Sequence, residues 1–316
     1  MLRRKFTAAL LASALALPTL VAAPPAWAKE LKSIGVSLAS LGNPFFVAIA
    51  KGAEAEGRKI NPHVKVTTLG FDYDLNKQFN QIDNFIAAGV DLIILNPGDP
   101  HAVAPAIKRA QAAGIVVVAV DTAAEGADAT VMTDNVKAGE IACQYIVDRL
   151  GGKGDVVIEN GPQVSSVIDR VAGCKKAFSA APAIKILSDD QDAKGSRDGG
   201  LAIMQGYLTR YPKLDAVFTI NDPQAIGSDL AAKQLGRANI VIASVDGAPD
   251  IEKALKANTL IEASASQDPY SMAKLAVELG NGLLNGKKPA SATTLIAPLL
   301  VTRKNVADYH GWESHR

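Results

Sequence analysis

The sequence is poor in the residues that carry most metal and nucleophile chemistry. It has two cysteines and four histidines, and none of them stands at metal-ligand spacing from another. It also lacks a GxxxxGKS loop and a GxGxxG after a strand, which argues against a nucleotide site. Three of the 33 basic residues lie in the first 28 positions, so the remaining 30 face 32 acidic residues and give no reason to expect nucleic acid. We therefore expect no metal, no cofactor and no nucleic-acid partner.

Residues 1–28 have the features of a secretory signal peptide. Three positive charges at positions 3–5 precede the apolar stretch AALLASALALPTLVAA, and Ala-Trp-Ala at 26–28 fits a cleavage site. The alternative is a membrane anchor, but Pro18 interrupts a run that falls short of the roughly 20 apolar residues of a span. Later apolar runs are shorter still. We predict that the signal peptide is cleaved and that the mature protein is exported.

The two cysteines, Cys143 and Cys174, lie on predicted helices on either side of the strand VVIEN. In an exported chain two cysteines can form a disulfide, and neighbouring helices would allow it. The alternative is a pair of buried thiols. Spacing alone does not decide between the two.

From Leu31 onward, short apolar strands alternate with helical patterns. The strands read SIGVSLA, VKVTTLG, LIILNP, VVVAVD, VVIENG, IKILSD, AVFTIND, IVIASVD and IEASASQ. Helical segments such as NKQFNQIDNFIAAG separate them, with apolar residues spaced near 3.6. This alternation predicts parallel sheets with right-handed crossovers and helices on both faces. The fold class is therefore α/β and doubly wound.

The strand-helix pattern occurs twice, which predicts two similar lobes. One set of strands runs to Asp121, TVMTDN leads into a helix, and a second set begins at Val156. A mature chain of this size usually exceeds a single core. We expect the chain to cross between the lobes near 131–134, 264–267 and 296–299. The predicted boundaries are 1–28 for the signal peptide, 29–132 plus 267–297 for the N-terminal lobe, and 133–266 plus 298–316 for the C-terminal lobe and tail.

Polar residues recur where a predicted strand gives way to a helix. These turns read LASLGNPFF, NPGD and VDT in the first half, and NGP, INDP, VDGAPD and ASQDP in the second. A single Asn or Asp there can simply cap the next helix. Together they indicate a site, because open parallel sheets bind ligands at the carboxyl ends of their strands.

Two carboxylates at equivalent strand ends, Asp121 and Asp246, suit a polyhydroxylated ligand. An ionised carboxylate accepts two or more hydroxyl hydrogen bonds. Arg170, near the start of a helix, would supply donors; the alternative is a surface charge. Paired carboxylates also serve glycosidases, but that chemistry needs one carboxyl with a raised pKa, which sequence does not show. No catalytic residues are predicted.

The chain from about Lys29 to Asn305 resembles the periplasmic pentose- and hexose-binding proteins of ABC transporters, of the ribose-binding type. Seven motifs occur in the order and spacing of that family: LGNPFFVAIAKGAEAEG, AVDTAA, TDNVKAGEIA, VIDRVAGCKKAF, FTINDPQAIG, ASVDGAPD and ASQDP. The resemblance implies two Rossmann-like lobes, joined by three crossovers, that close on one sugar molecule. It also implies a periplasmic protein, which we expect to be a monomer, that delivers its ligand to an ABC transporter permease.

The resemblance assigns roles to eight residues. Asn43 would bond a ligand hydroxyl, while Phe45 and Phe46 would flank the sugar ring, whose C–H face is apolar. The remaining ligand oxygens would be bonded by Asp121, Arg170, Asn221, Asp246 and Gln267.

The chain departs from the ribose-binding pattern at several points. Thr122 stands where those proteins have an arginine, QDAKGSRDGG has Gly195 and Ser196 where they have an aromatic residue, and Ala39 replaces a serine. We therefore expect a different monosaccharide or a sugar alcohol. Trp312 lies in the predicted tail, so tryptophan fluorescence is expected to report little on binding.

Three other functions compete with sugar import. Repressors of the lactose-repressor type share the two-lobe sensor, but they need an N-terminal helix-turn-helix where this chain has a signal peptide and a strand. A periplasmic sensor for a receptor kinase or chemoreceptor would have the same pocket and other lobe surfaces. An exported sugar-modifying enzyme is the third.

Overall fold

The computed structural model describes residues 29–312, so the predicted signal peptide lies outside the described part. The strands are β1 (Ser33–Leu38), β2 (Lys65–Gly70), β3 (Leu92–Leu95), β4 (Val116–Val120), β5 (Ala129–Thr133), β6 (Lys153–Glu159), β7 (Ala183–Ser188), β8 (Ala216–Thr219), β9 (Val241–Asp246), β10 (Ile261–Ser266), β11 (Thr293–Ile296) and β12 (Leu299–Thr302). The helices are α1 (Pro44–Ile60), α2 (Leu75–Ala87), α3 (Ala104–Ala112), α4 (Asn135–Arg149), α5 (Ser165–Ser179), α6 (Arg197–Arg210), α7 (Asp222–Gln234), α8 (Pro249–Lys256) and α9 (Pro269–Leu284). Within these residues, no helix is both long and apolar enough to cross a membrane.

The strands form two six-stranded sheets with the same order. The first sheet runs β11-β5-β4-β3-β1-β2 and the second runs β12-β10-β9-β8-β6-β7. Neighbouring strands are parallel throughout, except that β12 pairs antiparallel with β10. The α/β class and the two doubly wound lobes predicted from the strand-helix alternation are confirmed.

Helices cover both faces of each sheet, which explains the continuously apolar strands. In β3, Leu92 and Ile94 pack into the core shared with α1 and α9, while Ile93 and Leu95 pack into the core under α2 and α3. Successive strand residues point to opposite faces, so a strand between two helical layers needs apolar side chains at every position.

The chain passes between the two sheets three times. It leaves the first sheet after β5 and enters α4, which packs against β9 and β10 of the second sheet. It returns after β10 into α9, which packs against α1 and β4. The stretch TTLIAPLLVTR then divides, with β11 in the first sheet and β12 in the second. Three short connections at one end of the cleft are the arrangement of a hinge.

One strand was missed by sequence analysis. TVMTDN looked like a connection into the next helix, but the chain before Asp134 forms the buried strand β5. This strand pairs with β4 and also with β11, which lies about 160 residues further along the chain. A strand whose partner is that distant leaves little local signal.

Helices α4 and α5 are joined by a disulfide between Cys143 and Cys174, with the Cα atoms 5.0 Å apart. The two helices lie very close, because a Cβ on Gly139 or on Gly173 would collide with backbone of the other helix. The helix that carries Arg170 is therefore held rigidly against the helix that follows the first crossover.

Candidate ligand site

A cavity of about 90 Å³ lies between the lobes, at the carboxyl ends of the strands. All eight residues predicted for the site line it: Asn43, Phe45, Phe46, Asp121, Arg170, Asn221, Asp246 and Gln267. They come from both halves of the chain, so the fold brings together groups that are up to 224 positions apart.

The size of the cavity limits the ligand to one small molecule. A water molecule occupies roughly 10–15 Å³ on the same measure, so the space corresponds to about six to nine waters. This volume has room for a single sugar ring or a short polyol.

The first lobe provides an aromatic wall. Phe45 and Phe46, in the first turn of α1, are buried and stand edge to face with ring centroids 5.4 Å apart. Phe71 and Tyr73, on the loop after β2, line the same cavity and make an edge contact of their own at 6.4 Å. The sequence predicts the first pair but gives no signal for the second, because FDYD follows its strand without any recognised motif.

Asp121 directly follows β4 and has its backbone in the left-handed region, at φ 69°. Its carboxylate accepts hydrogen bonds from the amide of Asn96 at 3.1 Å and from the hydroxyl of Thr122 at 3.2 Å. Burial raises the pKa of Asp121, while the charge of Arg170 opposes that rise. A buried carboxylate with neutral partners keeps a strong demand for donors.

Asp246 is the last residue of β9 and also has a positive φ, 139°. One carboxylate oxygen, Oδ1, accepts a hydrogen bond from the amide of Gln267 at 2.7 Å and lies 3.5 Å from Nη1 of Arg170. Burial raises the pKa of Asp246 to about 6, although Arg170 and Gln267 lower it. The carboxyl is therefore protonated more easily than that of an exposed aspartate.

Arg170 is buried and not on the surface, with 4% of its area exposed. Its Nε donates to Oδ1 of Asn135 at 2.8 Å, and its Nη1 donates to the backbone carbonyl of Ile220 at 2.8 Å. The surface-charge alternative is wrong. The guanidinium is fixed by groups of three different elements, with its tip at the cavity.

Gln267 ties two crossovers to the site. Its amide oxygen accepts from the hydroxyl of Thr133 at 2.7 Å, and its amide nitrogen donates to Asp246. Thr133 ends the strand before the first crossover, whereas Gln267 lies in the second. Gln267 thus links the hinge to a carboxylate of the cavity.

Among the eight predicted residues, the helix-cap alternative holds for Asn43 and Asn221 and fails for Asp121 and Asp246. Asn43 accepts from the N–H of Phe45 at 3.0 Å and caps α1, and Asn221 accepts from the N–H of Gln224 at 3.1 Å and caps α7. Asp121 and Asp246 cap no helix. Their side chains are held toward the cavity by other partners.

Tyr73 stands between the cavity and the outer groove of the cleft. It lines the groove together with Lys194, Gly195 and Ser196 of the second lobe, and half of its surface is exposed. Burial, and then the charges of Asp121 and Asp246, raise the pKa of its hydroxyl to about 12. The ring of Tyr73, which belongs to the first lobe, therefore lies beside the loop of the second lobe that has Gly195 and Ser196 in place of an aromatic residue.

Trp312 lies in the predicted C-terminal tail, and this tail packs against two residues of the candidate site. The indole is buried, packs edge-on against Phe45 with centroids 5.6 Å apart, and donates its N–H to the carbonyl of Asp246 at 2.9 Å. This contact was not predicted, because nothing in the sequence HGWESHR indicates that the chain turns back to the cleft.

Three comparisons relate this geometry to known proteins. Residues 34–288 match the family model described as a periplasmic binding protein domain. The ribose import binding protein of Bacillus subtilis is 35% identical over 292 residues, covering 89% of this chain and 93% of that protein. The xylitol-binding protein of Mycolicibacterium smegmatis is 31% identical over 282 residues, covering 88% and 79%.

Solved structures agree with the sequence relatives. The Caulobacter myo-inositol binding protein, crystallised with myo-inositol, superposes with a TM-score of 0.81 at 27% identity. The match covers 89% of this chain and 96% of that one. The family match spans most of the chain, and both the sequence relatives and the fold agree with it. This chain belongs to the periplasmic binding protein family.

Proposed function

We propose that this chain is the sugar solute-binding protein of an ABC importer, which captures one monosaccharide or sugar alcohol and delivers it to a membrane permease. The observation that carries the proposal is the pair of buried strand-end carboxylates, Asp121 and Asp246, on opposite lobes of one small cavity with an aromatic wall. No chemical step is involved.

The cavity offers complementary partners for a polyol. The carboxylates of Asp121 and Asp246 accept hydroxyl hydrogen bonds, and Arg170 donates to ligand oxygens. Phe45 and Phe46 cover the apolar C–H face of the ligand. The side-chain amides of Asn43, Asn221 and Gln267 would bond further ligand oxygens. Each would use the donor or acceptor capacity that its helix-cap or hinge hydrogen bonds do not occupy.

The local structure argues against ribose as the ligand. Thr122 is buried, and its hydroxyl accepts from Asn96 at 2.9 Å, so it cannot replace a guanidinium. Gly195 lines the cavity without a side chain, with φ 60°. The space and the donors differ from those of the ribose-binding pattern at both points, which favours another pentose, a hexose or a polyol.

Binding would stabilise the closed arrangement of the lobes. The hydroxyl of Ser165 in the second lobe already accepts from the N–H of Ala123 in the first, at 2.8 Å across the cleft. A ligand that contacts both walls adds bonds that exist only when the lobes are closed. The permease then recognises the closed form. The chain acts as an exported monomer in the periplasm, after removal of residues 1–28.

Calorimetric titration with a panel of pentoses, hexoses and polyols, including ribose, xylitol and myo-inositol, tests the proposal. One member should bind with a stoichiometry of one, more tightly than ribose, and should be recovered chemically unchanged after hours. The Asp246→Asn variant should lose most of the affinity, while Asp229→Asn, which removes a buried carboxylate bonded to Leu260 and Lys233 outside the cavity, should keep it. Absence of heat with every member of the panel would contradict the proposal.

A further inference from the structure

The last described residues form a segment that touches both lobes. We call residues 305–312 the C-terminal strap. Val306 and Tyr309 pack into a core of the second lobe, and Trp312 packs into the core that contains β1, α1 and α9 of the first lobe. The strap therefore runs from one lobe to the other.

The strap holds two consecutive backbone carbonyls at the end of β9. The indole N–H of Trp312 donates to the carbonyl of Asp246 at 2.9 Å, and the hydroxyl of Tyr309 donates to the carbonyl of Gly247 at 2.9 Å. The carbonyl of Asp246 also accepts from the N–H of Gln267 at 2.8 Å. All of these hydrogen bonds are shielded from solvent.

The backbone at Asp246 and Gly247 has a conformation that depends on support from the surrounding residues. Asp246 has φ 139° and Gly247 has φ 69°, in the region that L side chains rarely adopt. Such backbone persists only where the surroundings determine it. A Cβ on Gly247 would collide with the hydroxyl of Tyr309 and with Ser266, so the strap also requires glycine at this position. The direction of the Asp246 carboxylate follows from this backbone.

The same strap touches the aromatic wall. The rings of Trp312 and Phe45 meet at 75°, with centroids 5.6 Å apart, and both are nearly fully buried. The indole of Trp312 thus contacts both the backbone carbonyl of Asp246 in the second lobe and the ring of Phe45 in the first lobe.

We propose that Trp312 and Tyr309 are positioning residues of the ligand site, which set the Asp246 carboxylate and the Phe45 ring relative to each other, and that the emission of Trp312 reports occupancy of the cavity. The inference rests on the proposed function, and it adds residues that touch no ligand. Because indole emission responds to its surroundings, ligand contact with Phe45 and Asp246 reaches Trp312 through direct neighbours.

Two conservative variants test the strap. Trp312→Phe keeps a ring against Phe45 and removes the donor to Asp246, and Tyr309→Phe keeps the ring and removes the hydroxyl that donates to Gly247. Each should weaken binding of the best ligand of the panel about three- to tenfold, as the loss of one buried hydrogen bond implies. Tyr211→Phe is the matched control, because it also removes a hydroxyl that donates to a carbonyl, that of Leu187, away from the cavity. It should change affinity less than about twofold.

Two further readouts separate positioning from general stability. The ratio of affinities for the best and second-best ligands should change in the strap variants and stay constant in Tyr211→Phe. Ligand should shift the emission of the unaltered protein, and that shift should be absent from Trp312→Phe, so that the difference isolates Trp312 whether or not Trp27 is present.

Hydrogen exchange tests the strap without ligand. The amides of Gly247 and Gln267, which donate to Ser264 and Asp246, should exchange faster in the strap variants and at the original rate in the control. If the panel shows no binding, the proposed function fails and exchange alone decides whether the strap holds this segment. Unchanged exchange, or unchanged affinity, ligand ratio and emission in a protein that binds sugar, would overturn the inference.

Discussion

The two lobes have the same strand order, yet they build opposite walls of the cavity. Each places an aspartate with a positive φ at the end of its fourth strand in chain order, Asp121 after β4 and Asp246 in β9. Around Asp121 lie the neutral amide of Asn96 and the hydroxyl of Thr122, and four aromatic rings line the same wall of the cavity. Around Asp246 lie an arginine, a glutamine and the backbone N–H of Asp222, which donates to the Asp246 carboxylate. The two lobes thus place a carboxylate at the same position of the fold, and the surrounding side chains determine the hydrogen bonds and charges around it.

The lobes also differ in how the polar wall is held. Arg170 lies on α5, and α5 is joined covalently to α4 through the disulfide. The first lobe has no cysteine within its described residues and positions its rings by packing alone. We infer that a charged wall, whose groups must meet at hydrogen-bond distance, depends more on a rigid support than an aromatic wall does. Variants in each lobe therefore test this contrast.

Replacing both cysteines by alanine should destabilise the second lobe and spare the first. The disulfide closes a loop with a sequence separation of 31, and its loss should lower the free energy of unfolding by about 3–4 kcal/mol. Denaturant unfolding followed by hydrogen exchange of peptides from each lobe measures the difference. Reductant should have no effect on the double variant. Equal loss of exchange protection in both lobes would contradict the proposed difference between the lobes in their dependence on the disulfide.

Asp246→Ala should weaken ligand binding more than Asp121→Ala does. Removal of Asp246 takes away a charge-assisted acceptor and also leaves Arg170 and Gln267 without their partner, so we expect a loss of about 2–3 kcal/mol in binding free energy. Asp121 has neutral partners, and its removal should cost about 1–2 kcal/mol. Calorimetry measures both, with Asp229→Ala as control. A larger loss for Asp121→Ala would reverse the assignment of the polar wall.

Binding should weaken as the pH falls through 6. The raised pKa of Asp246, about 6, means that the carboxyl is mainly ionised at pH 7 and mainly protonated at pH 5. Ligand hydroxyls donate to the ionised form, so the affinity present above pH 6 is lost below it, by about tenfold between pH 7 and pH 5. A neutral sugar contributes no titration of its own.

Asp246→Asn is the control for this pH dependence. Its weaker affinity should vary less over the same range, because the amide does not titrate. Affinity that rises on acidification would mean that the protonated carboxyl donates to the ligand.

Tyr73→Ala should weaken binding by about 1 kcal/mol, because it removes one ring from the mouth of the cavity. Tyr73→Phe keeps the ring and should bind almost as the unaltered protein does. Calorimetry with the best ligand compares the two variants. Equal losses would assign the effect to the hydroxyl, and no loss in either would show that the aromatic wall ends at Phe71.

Much of the fold could be predicted from the sequence because its signals are local. Apolar runs such as LIIL, bounded by turns and followed by amphipathic helices, identify parallel strands between helical layers. The strand-end rule then places Asp121 and Asp246 at one edge without any coordinates. The missed strand β5 and the divided stretch TTLIAPLLVTR depend on partners far away in the chain, which no local pattern reveals.

The features of the candidate site can also be separated into those that the sequence predicts and those that depend on the folded structure. The sequence alone determined two carboxylates, one arginine and a pair of phenylalanines at strand and helix ends, since these positions follow from the order of elements. Only the tertiary structure decided that Arg170 is buried beside Asp246, that Phe71 and Tyr73 extend the aromatic wall, and that Trp312 returns to brace both lobes. Burial, hydrogen-bond partners and the resulting pKa shifts depend on distances between residues remote in the chain, so they exist only once both lobes and the strap have packed together.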